Sequence, residues 1–466
     1  MKRKGKRFSN KWIDDYIEKP YKQLDEASVN IIKNDFRKHK QIYSVMRFIN
    51  YETLRIAFHS MTLITTDEGN ICKSNKERAT GIDRMTKKEY GEHLDKNLRN
   101  LLNKLRKHTY KMKTVLRTYI PKAPKVKIID GNEVIVIDKR PLSIPCIEDS
   151  ILQVAIVNQI LETLTEEIFT DESYGYRPNK NVRKAIDYIE EINYRYDIKY
   201  ILVLDNKAYF DSINRDKLIE MVRDIIKDKV FIGILKTILK TGYLDKEDKK
   251  IKYPKKGIYQ GMNISPVLAN LYLHNVIDSW YQTIETKEKI SMVRYADDII
   301  MLGRNKEDMY TVLEAIKERF IQYELEIAEE KSRLIDLEEE DVTYLGYRIH
   351  KDGREIQKYI SDKKLREIRM KIDNIISDSL NDLQDVEVAK RVQSRDDYKL
   401  YHQDYIRYLN NYLVGIYRTY KDTNDPLKLD QIYDYAYMGI SRQWSNRLSK
   451  EELEEMIFHI EKPKII

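Results

Sequence analysis

The alternation of apolar and polar residues changes period several times along the 466 positions, and each change marks an element. Up to about residue 75 apolar positions recur at helical intervals, Ile31, Ile32 and Phe36 and then Val45, Met46 and Ile49, with lysines and arginines on the other faces. The glycine-bearing RATGIDRMT at 78–86 ends this lead-in, and a helix resumes over Tyr90–Lys107, with Leu94, Leu98, Leu101, Leu102 and Leu105 on one side. Two β-rich runs, TVLRTYIP and VIVIDKRPLSIP, follow with the polar KAPKVKIIDGNE between them, which predicts a hairpin or long β-loop. Helices are expected from Ile147 to about Phe169 and from Val182 to Ile192, the second introduced by the loop SYGYRPNKN.

YILVL at 200–204 is a short, continuous apolar run ending at Asp205, the pattern of a strand buried on both faces. A helix from about Asn214 carries Leu218, Val222, Ile225 and Ile226 on its apolar face. MVRY and IIML flank Ala296, Asp297 and Asp298 and predict two strands meeting at a tight acidic turn. VTYLGYRIHKDGREI is hairpin-like. Beyond it the pattern is helical: Ser361 suits an N-cap, Leu365, Ile368, Ile372, Ile375 and Ile376 share a stripe, and Tyr398, Tyr401, Tyr405, Tyr408 and Tyr412 follow at three-four spacing. That spacing favours ordinary helix packing for the tyrosines, with phosphate contact beside Arg407 and Arg418 as the alternative. No solenoid-type repeat or low-complexity linker interrupts the chain.

Composition narrows the class. A chain of this length suits two to four domains, and 42% apolar residues supply real cores beneath a heavily charged surface, with 34% charged residues and a mean hydropathy of -0.63. Neither a run of about 18 apolar residues nor a secretory h-region occurs, so no membrane partner and a cytoplasmic location are expected. Cys72 and Cys146 form no C-x-x-C pair and read as reduced, buried thiols.

The net charge of +8 is concentrated. Arg99 to Arg140 holds twelve Lys/Arg against three Asp/Glu, a local +9 that leaves about -1 for everything else. Interleaved with Tyr110 and Tyr119, this stretch suits a polyanion gripped by its phosphates, although a charge run alone more often describes a solvated face.

Three carboxylates bring in chemistry. Asp205 closes a buried strand while Asp297 and Asp298 sit at a hairpin tip, so neighbouring strands in one sheet would bring them together. Such a cluster needs cations: two unit charges about 4 Å apart repel by roughly 4 kcal/mol at an effective dielectric near 20. Hard oxygen donors favour Mg²⁺ completed by water and substrate phosphate. A pair of such ions serves phosphoryl transfer. By itself an Asp-Asp dipeptide is more often a plain turn.

Ordered blocks of sequence decide between those readings. YIPK (119–122), RPLSIP (140–145), SYGYRP (173–178), DNKAYFDSI (205–213), GIYQGMNISPVLANLYLH (257–274), YADD (295–298), EEKSRLI (329–335) and YLGY (344–347) resemble, in the same order, the blocks of reverse transcriptases, most closely the group II intron-encoded class. They run from about Thr80 to Arg348, more than half the chain.

The resemblance implies an α+β right-hand polymerase, with fingers and a palm whose antiparallel sheet carries the YADD hairpin, followed by an α-helical thumb. Expected boundaries are a helical N-terminal extension over 1–75, fingers with the first part of the palm over 76–200, the catalytic palm over 201–357, a maturase-like thumb over 358–422 and a short helical region over 423–466. The implied activity is extension of a DNA or RNA primer with dNTPs on an RNA template, using two Mg²⁺ ions for which Mn²⁺ can substitute. Asp205 and Asp297 would bind both metals with the Asn206 carbonyl as an added ligand, and Asp298 would assist.

Lys122 and Arg140 resemble the residues holding the triphosphate, with Lys139 able to replace either. Phe210 resembles the plate that rejects a 2′-hydroxyl, the alternative being a core aromatic. Gln260 and Gly261 resemble the loop touching nucleotide and template. Lys331 resembles the lysine that protonates pyrophosphate, and Tyr344, Leu345, Gly346 and Tyr347 the primer grip. Asn206 replaces an aliphatic residue of the family's blocks, Ala208 and Arg84 each replace a glycine, and Tyr259 replaces a proline. No cysteine pairs of an HNH endonuclease follow, so that domain is expected to be missing. The biological role divides between an intron-encoded enzyme that also binds a structured intron RNA to assist splicing, and a domesticated relative in phage defence, CRISPR spacer capture or repair that uses another noncoding RNA.

Overall fold

The computed structural model describes residues 26–65, 71–73, 79–121, 125–129, 132–284, 289–381 and 395–444. Lys122 falls outside them, as do the side chains of Tyr398, Tyr401, Tyr405 and Arg407 and the final residues from 445 onward.

Helices Glu26–His39 and Tyr51–Thr62 lead into a short antiparallel hairpin of β1 (Leu63–Thr65) and β2 (Ile71–Lys73). The single helix expected over Tyr90–Lys107 is two, Lys87–Glu92 and Leu94–Arg106. A reciprocal capping box between Thr86 and Glu89 starts the first earlier than the leucine stripe suggests, and His93, at φ -124°, separates them. The break follows Gly91, whose missing Cβ leaves room for the Phe58 ring. Leu98, Leu101, Leu102 and Leu105 are buried as their spacing requires.

The β-loop resolves into nested hairpins. β3 (Val115–Pro121) pairs antiparallel with β6 (Lys139–Ile144), Leu116 opposite Ile144 through Pro121 opposite Lys139. Between them β4 (Lys125–Ile129) and β5 (Asn132–Val136) form a two-stranded hairpin of their own. A helix runs from Ile147 through a π turn at Val157–Leu161 to Thr165, and Asn181 caps the helix Val182–Tyr196. β7 (Tyr200–Leu204) follows, then helices Arg215–Ile225 and Lys229–Lys240, N-capped by Asn214 and Asp228.

β8 (Tyr243–Asp245) and β9 (Ile251–Lys252) form a hairpin, and β8 joins β3 in parallel, a non-local pairing that the local pattern does not announce. The Ser265–Leu273 helix is buried on all sides. β10 (Ile290–Tyr295), β11 (Asp298–Gly303), the Lys306–Gln322 helix, β12 (Arg333–Asp336), β13 (Val342–Tyr344), β14 (Tyr347–Asp352) and β15 (Glu355–Ile360) precede the helices Asp362–Asn381, Arg395–Tyr420 and Leu427–Trp444.

The chain divides into two compact units, each made of three stretches of sequence. The first comprises Met1–Lys180, Leu204–Lys287 and Thr311–Ser332 and holds the four-stranded sheet β6-β3-β8-β9 among helices. Cys146 is fully buried there against Gly81, where a Cβ would lie 2.8 Å from the Cys146 backbone, and burial pushes its thiol up to about 12. The second comprises Asn181–Val203, Glu288–Tyr310 and Arg333–Ile466, with the sheets β10-β11-β7-β12 and β13-β14-β15. β11 is buried from Ile299 to Gly303, each large apolar side chain contributing about 1.5–3 kcal/mol. In the helix Asp362–Asn381 the stripe of Leu365, Ile368, Ile372, Ile375 and Ile376 is buried, and the Lys364 N–H donates to Ser361 Oγ at 3.3 Å. The class is α+β, with an antiparallel hairpin that presents YADD and helices after it.

Candidate active site

Strands β10 and β11 pair from Ile290 opposite Gly303 to Tyr295 opposite Asp298, which leaves Ala296 and Asp297 as a two-residue loop. Ala296 takes a left-handed φ of 56°, unfavourable for an L-residue by about 1–2 kcal/mol, so its surroundings must hold it. One holder is Arg294. Its side chain is wholly buried and its Nη1 donates to the Ala296 carbonyl at 2.9 Å. Tyr344 supplies another: its buried hydroxyl donates to the carbonyls of Asp298 at 3.1 Å and Val293 at 3.3 Å. Within this clasp Asp297 is half-buried and Asp298 exposed. β11 has β7 as its neighbour in the sheet.

Asp205 follows β7 in sequence and belongs to the first unit, where it is bonded to the segment 328–332. Its N–H donates to Ser332 Oγ at 3.0 Å, its carbonyl accepts from the Ala328 N–H at 2.8 Å, and Lys331 Nζ lies 3.2 Å from Oδ1. Asn206 bridges Ile327, and the bonds around that bridge use the Asp205 carbonyl and the Lys207 N–H. Ala208 then turns the chain with φ 47°. Tyr209 is buried and donates to the Ala269 carbonyl at 2.5 Å, while Phe210 is half-buried, edge-on to Tyr209 at 5.7 Å.

The segment 257–261 packs beside this turn. Ile258 N–H donates to the Phe210 carbonyl and Gly257 N–H to that of Ile213, both at 2.7 Å. A Cβ on Gly257 would lie 2.7 Å from the Asp211 carbonyl oxygen, so glycine is required for the approach, and φ is 85°. Arg215 pins the same segment through the Gly257 and Pro254 carbonyls at 2.6 and 2.7 Å. Tyr259, in the proline's place, is buried and donates to the Thr241 carbonyl at 2.7 Å. Gln260 accepts from the Ser143 N–H at 2.8 Å, and Gly261, at φ 95°, lies against Leu142. The loop expected to touch the nucleotide thus abuts β6, the strand of Arg140.

Arg140 is exposed and makes no ion pair among the described residues, whereas Lys139 pairs with Glu247 at 2.6 Å. The basic stretch around them is partly spent on structure: Lys104 pairs with Glu148, Lys113 with Asp83, and Arg117 is buried over the Tyr243 ring at 3.8 Å. Tyr110 donates to Asp149 at 2.7 Å and Tyr119 to Asp245 at 2.9 Å. Burial raises the Asp149 carboxyl to about 6.

YLGY forms the β13–β14 turn, Tyr344 opposite Tyr347, with Leu345 at φ 50° and Gly346 at φ 85° between them. Two central residues with positive φ suit a tight hairpin. Tyr347 is buried, donates to the Thr419 carbonyl and packs on Tyr420 at 4.7 Å, so both tyrosines hold the hairpin and only Leu345 and Gly346 form its tip.

Arg294, Tyr344 as a clasp, and Ser332 were not legible as functional. A signal for Arg294 exists: an arginine inside an otherwise apolar strand, two residues before a strained turn. Carboxylate oxygens and a backbone carbonyl are the donor chemistry a hard divalent ion takes. Among the described residues no group of three His, Cys, Asp or Glu side chains is drawn together as a metal-binding cluster.

Residues 120–349 match the family model for reverse transcriptase (RNA-dependent DNA polymerase). The group II intron-encoded protein LtrA of Lactococcus lactis subsp. cremoris is 28% identical over 324 residues, 56% of this chain and 51% of that protein. An uncharacterized 91 kDa protein in the cob intron of Schizosaccharomyces pombe is 36% identical over 149 residues, 32% of this chain and 18% of its own. Protein YkfC of Escherichia coli is 28% identical over 273 residues, 51% and 66% of the two chains. This chain thus spans less than two thirds of each of these relatives. Among solved structures, telomerase from Candida tropicalis matches with a TM-score of 0.41 and 13% identity, over 86% of this chain and 71% of that one. The chain carries a reverse transcriptase domain over residues 120–349 and is related to the group II intron-encoded proteins.

Proposed function

We propose that this protein is an RNA-directed DNA polymerase that extends a DNA or RNA primer on an RNA template with dNTPs, and that it also binds a structured intron RNA. The observation that carries the reading is the YADD turn, held in a strained conformation at the tip of β10–β11 by Arg294 and Tyr344. Asp205, Asp297 and the Asn206 carbonyl would hold two Mg²⁺ ions, or Mn²⁺ in their place, with Asp298 assisting. Bound there, the ions would supply charge neutralisation for an attacking 3′-hydroxyl and a departing pyrophosphate. Bare carboxylates repel one another, and bound cations would offset that repulsion.

The remaining roles follow from the side chains. Arg140 offers a planar, permanently charged fork to the triphosphate, with Lys122 as its companion. Gln260 and Gly261 bring backbone close to the base pair, and Phe210 excludes a 2′-hydroxyl. Lys331 neutralises Asp205 in the present arrangement; released from it, the same ammonium can meet pyrophosphate and give up a proton. Leu345 and Gly346, at the tip of the hairpin, would meet the primer end.

Primer extension on an RNA template with dNTPs and Mg²⁺ tests the assignment. Wild type should make cDNA and discriminate against ribonucleotides. Asp297→Ala should lose extension by several orders of magnitude while keeping RNA affinity. Normal extension by that variant would remove the carboxylate from the chemistry.

A further inference from the structure

Helices Arg215–Ile225 and Lys229–Lys240 meet at Asp228, whose buried carboxylate accepts the N–H groups of Met46, Val230 and Phe231. At their junction lies a cleft of about 350 Å³. Four cations line it, Arg223, Lys227, Lys229 and Lys236, and the rest of the lining is Ile226, Ile232 and Gly233 with no carboxylate. None of the four makes an ion pair among the described residues, in contrast to Lys104, Lys113 and Lys139 of the basic stretch. The nearest acid in sequence to Lys227 and Lys229 is Asp228, already committed to three backbone donors. Like charges gathered without counter-ions oppose folding unless an anion joins them.

Gly233 gives a second, independent indication. It lies inside a helix, where glycine is less favourable than alanine, yet a Cβ there would meet nothing within 4 Å. The protein's own packing does not require the missing side chain. A bare stretch of helix backbone between cations allows close approach from outside.

We propose that this cleft holds the phosphodiester backbone of the RNA on which the enzyme works, through residues distinct from all those given a part in the chemistry. The identity of the polyanion rests on the polymerase reading. The charge arrangement does not. Spaced cations suit successive phosphates, and an affinity built on them falls as salt rises.

The test is fluorescence anisotropy of a labelled single-stranded RNA with the full chain over a KCl series. It compares wild type with Arg223→Gln/Lys227→Gln/Lys236→Gln and with Gly233→Glu. The triple variant should lower the slope of log affinity against log salt by about 2, at roughly 0.7 per lost phosphate contact. Gly233→Glu should weaken RNA binding at low salt without lowering the melting temperature. Primer extension at saturating RNA should keep its kcat in both variants while the KM for RNA rises. An unchanged slope in the triple variant overturns the cleft even if extension is normal. A changed slope in a protein that extends no primer leaves the cleft standing and removes the polymerase reading. Inorganic pyrophosphate separates a free-anion site: if it binds wild type but not the triple variant, and the RNA slope is the same in both, the RNA assignment is overturned.

Discussion

Ala208 and Arg84 stand where the blocks of the resembled family carry glycine, and both hold left-handed backbone, at φ 47° and 58°. The substitutions are therefore tolerated strain rather than a change of path. Left-handed backbone costs an L-residue about 1–2 kcal/mol, and a new glycine returns about 0.4–1 kcal/mol as unfolded-state entropy. Ala208→Gly should consequently raise stability by up to about 1.6 kcal/mol in a denaturant titration, and a loss of stability would show that the alanine methyl packs usefully. Single-residue roles are also the least legible in the sequence. The acidic positions can be singled out because the chain order of blocks is itself a pattern, whereas the part played by Arg294 is set by bonds such as the one to the Ala296 carbonyl, which no block records.

At the scale of elements the hairpins were legible and their fastenings were not. Two short apolar runs around Ala296 and Asp297 announce a tight turn, whereas the bond from Tyr344 to Asp298 joins segments 46 positions apart. The parallel pairing of β3 with β8 goes unannounced for the same reason, and the leucine spacing over Tyr90–Lys107 predicts one unbroken helix because it registers the buried face and not the cap. Tyr344→Phe tests the fastening. Removing the hydroxyl leaves buried carbonyls without that donor, a cost of about 1–3 kcal/mol. If the clasp positions the acidic turn, kcat of primer extension should fall about tenfold with the KM for dNTP little changed, a barrier increase of about 1.4 kcal/mol. A lower melting temperature with unchanged kcat would restrict Tyr344 to stability.

For the whole molecule, composition located a surplus of charge but could not say which cations are already answered by carboxylates; that depends on partners such as Glu148 and Glu247, far away in sequence. Stability against acid is likewise a property of the entire fold. His59 is buried, and burial lowers its imidazole to about 4 while a neighbouring Arg55 acts in the same direction. The unfolded chain binds that proton near 6.5, so the native state gains its full benefit above 6.5 and loses it as pH falls toward 4, by up to about 3 kcal/mol. Melting temperatures recorded from pH 7.5 to 5 should decline, and His59→Phe should flatten that decline; an identical profile in the variant would assign the acid sensitivity elsewhere.

The thiol of Cys146, sealed against Gly81 and pushed up to about 12, has a practical corollary. A maleimide reacts with thiolate, which this group does not offer while the surrounding helices stay closed. Peptide mass spectrometry of the adduct at residue 146 over time would then act as a clock for opening of the first unit, without any engineered label.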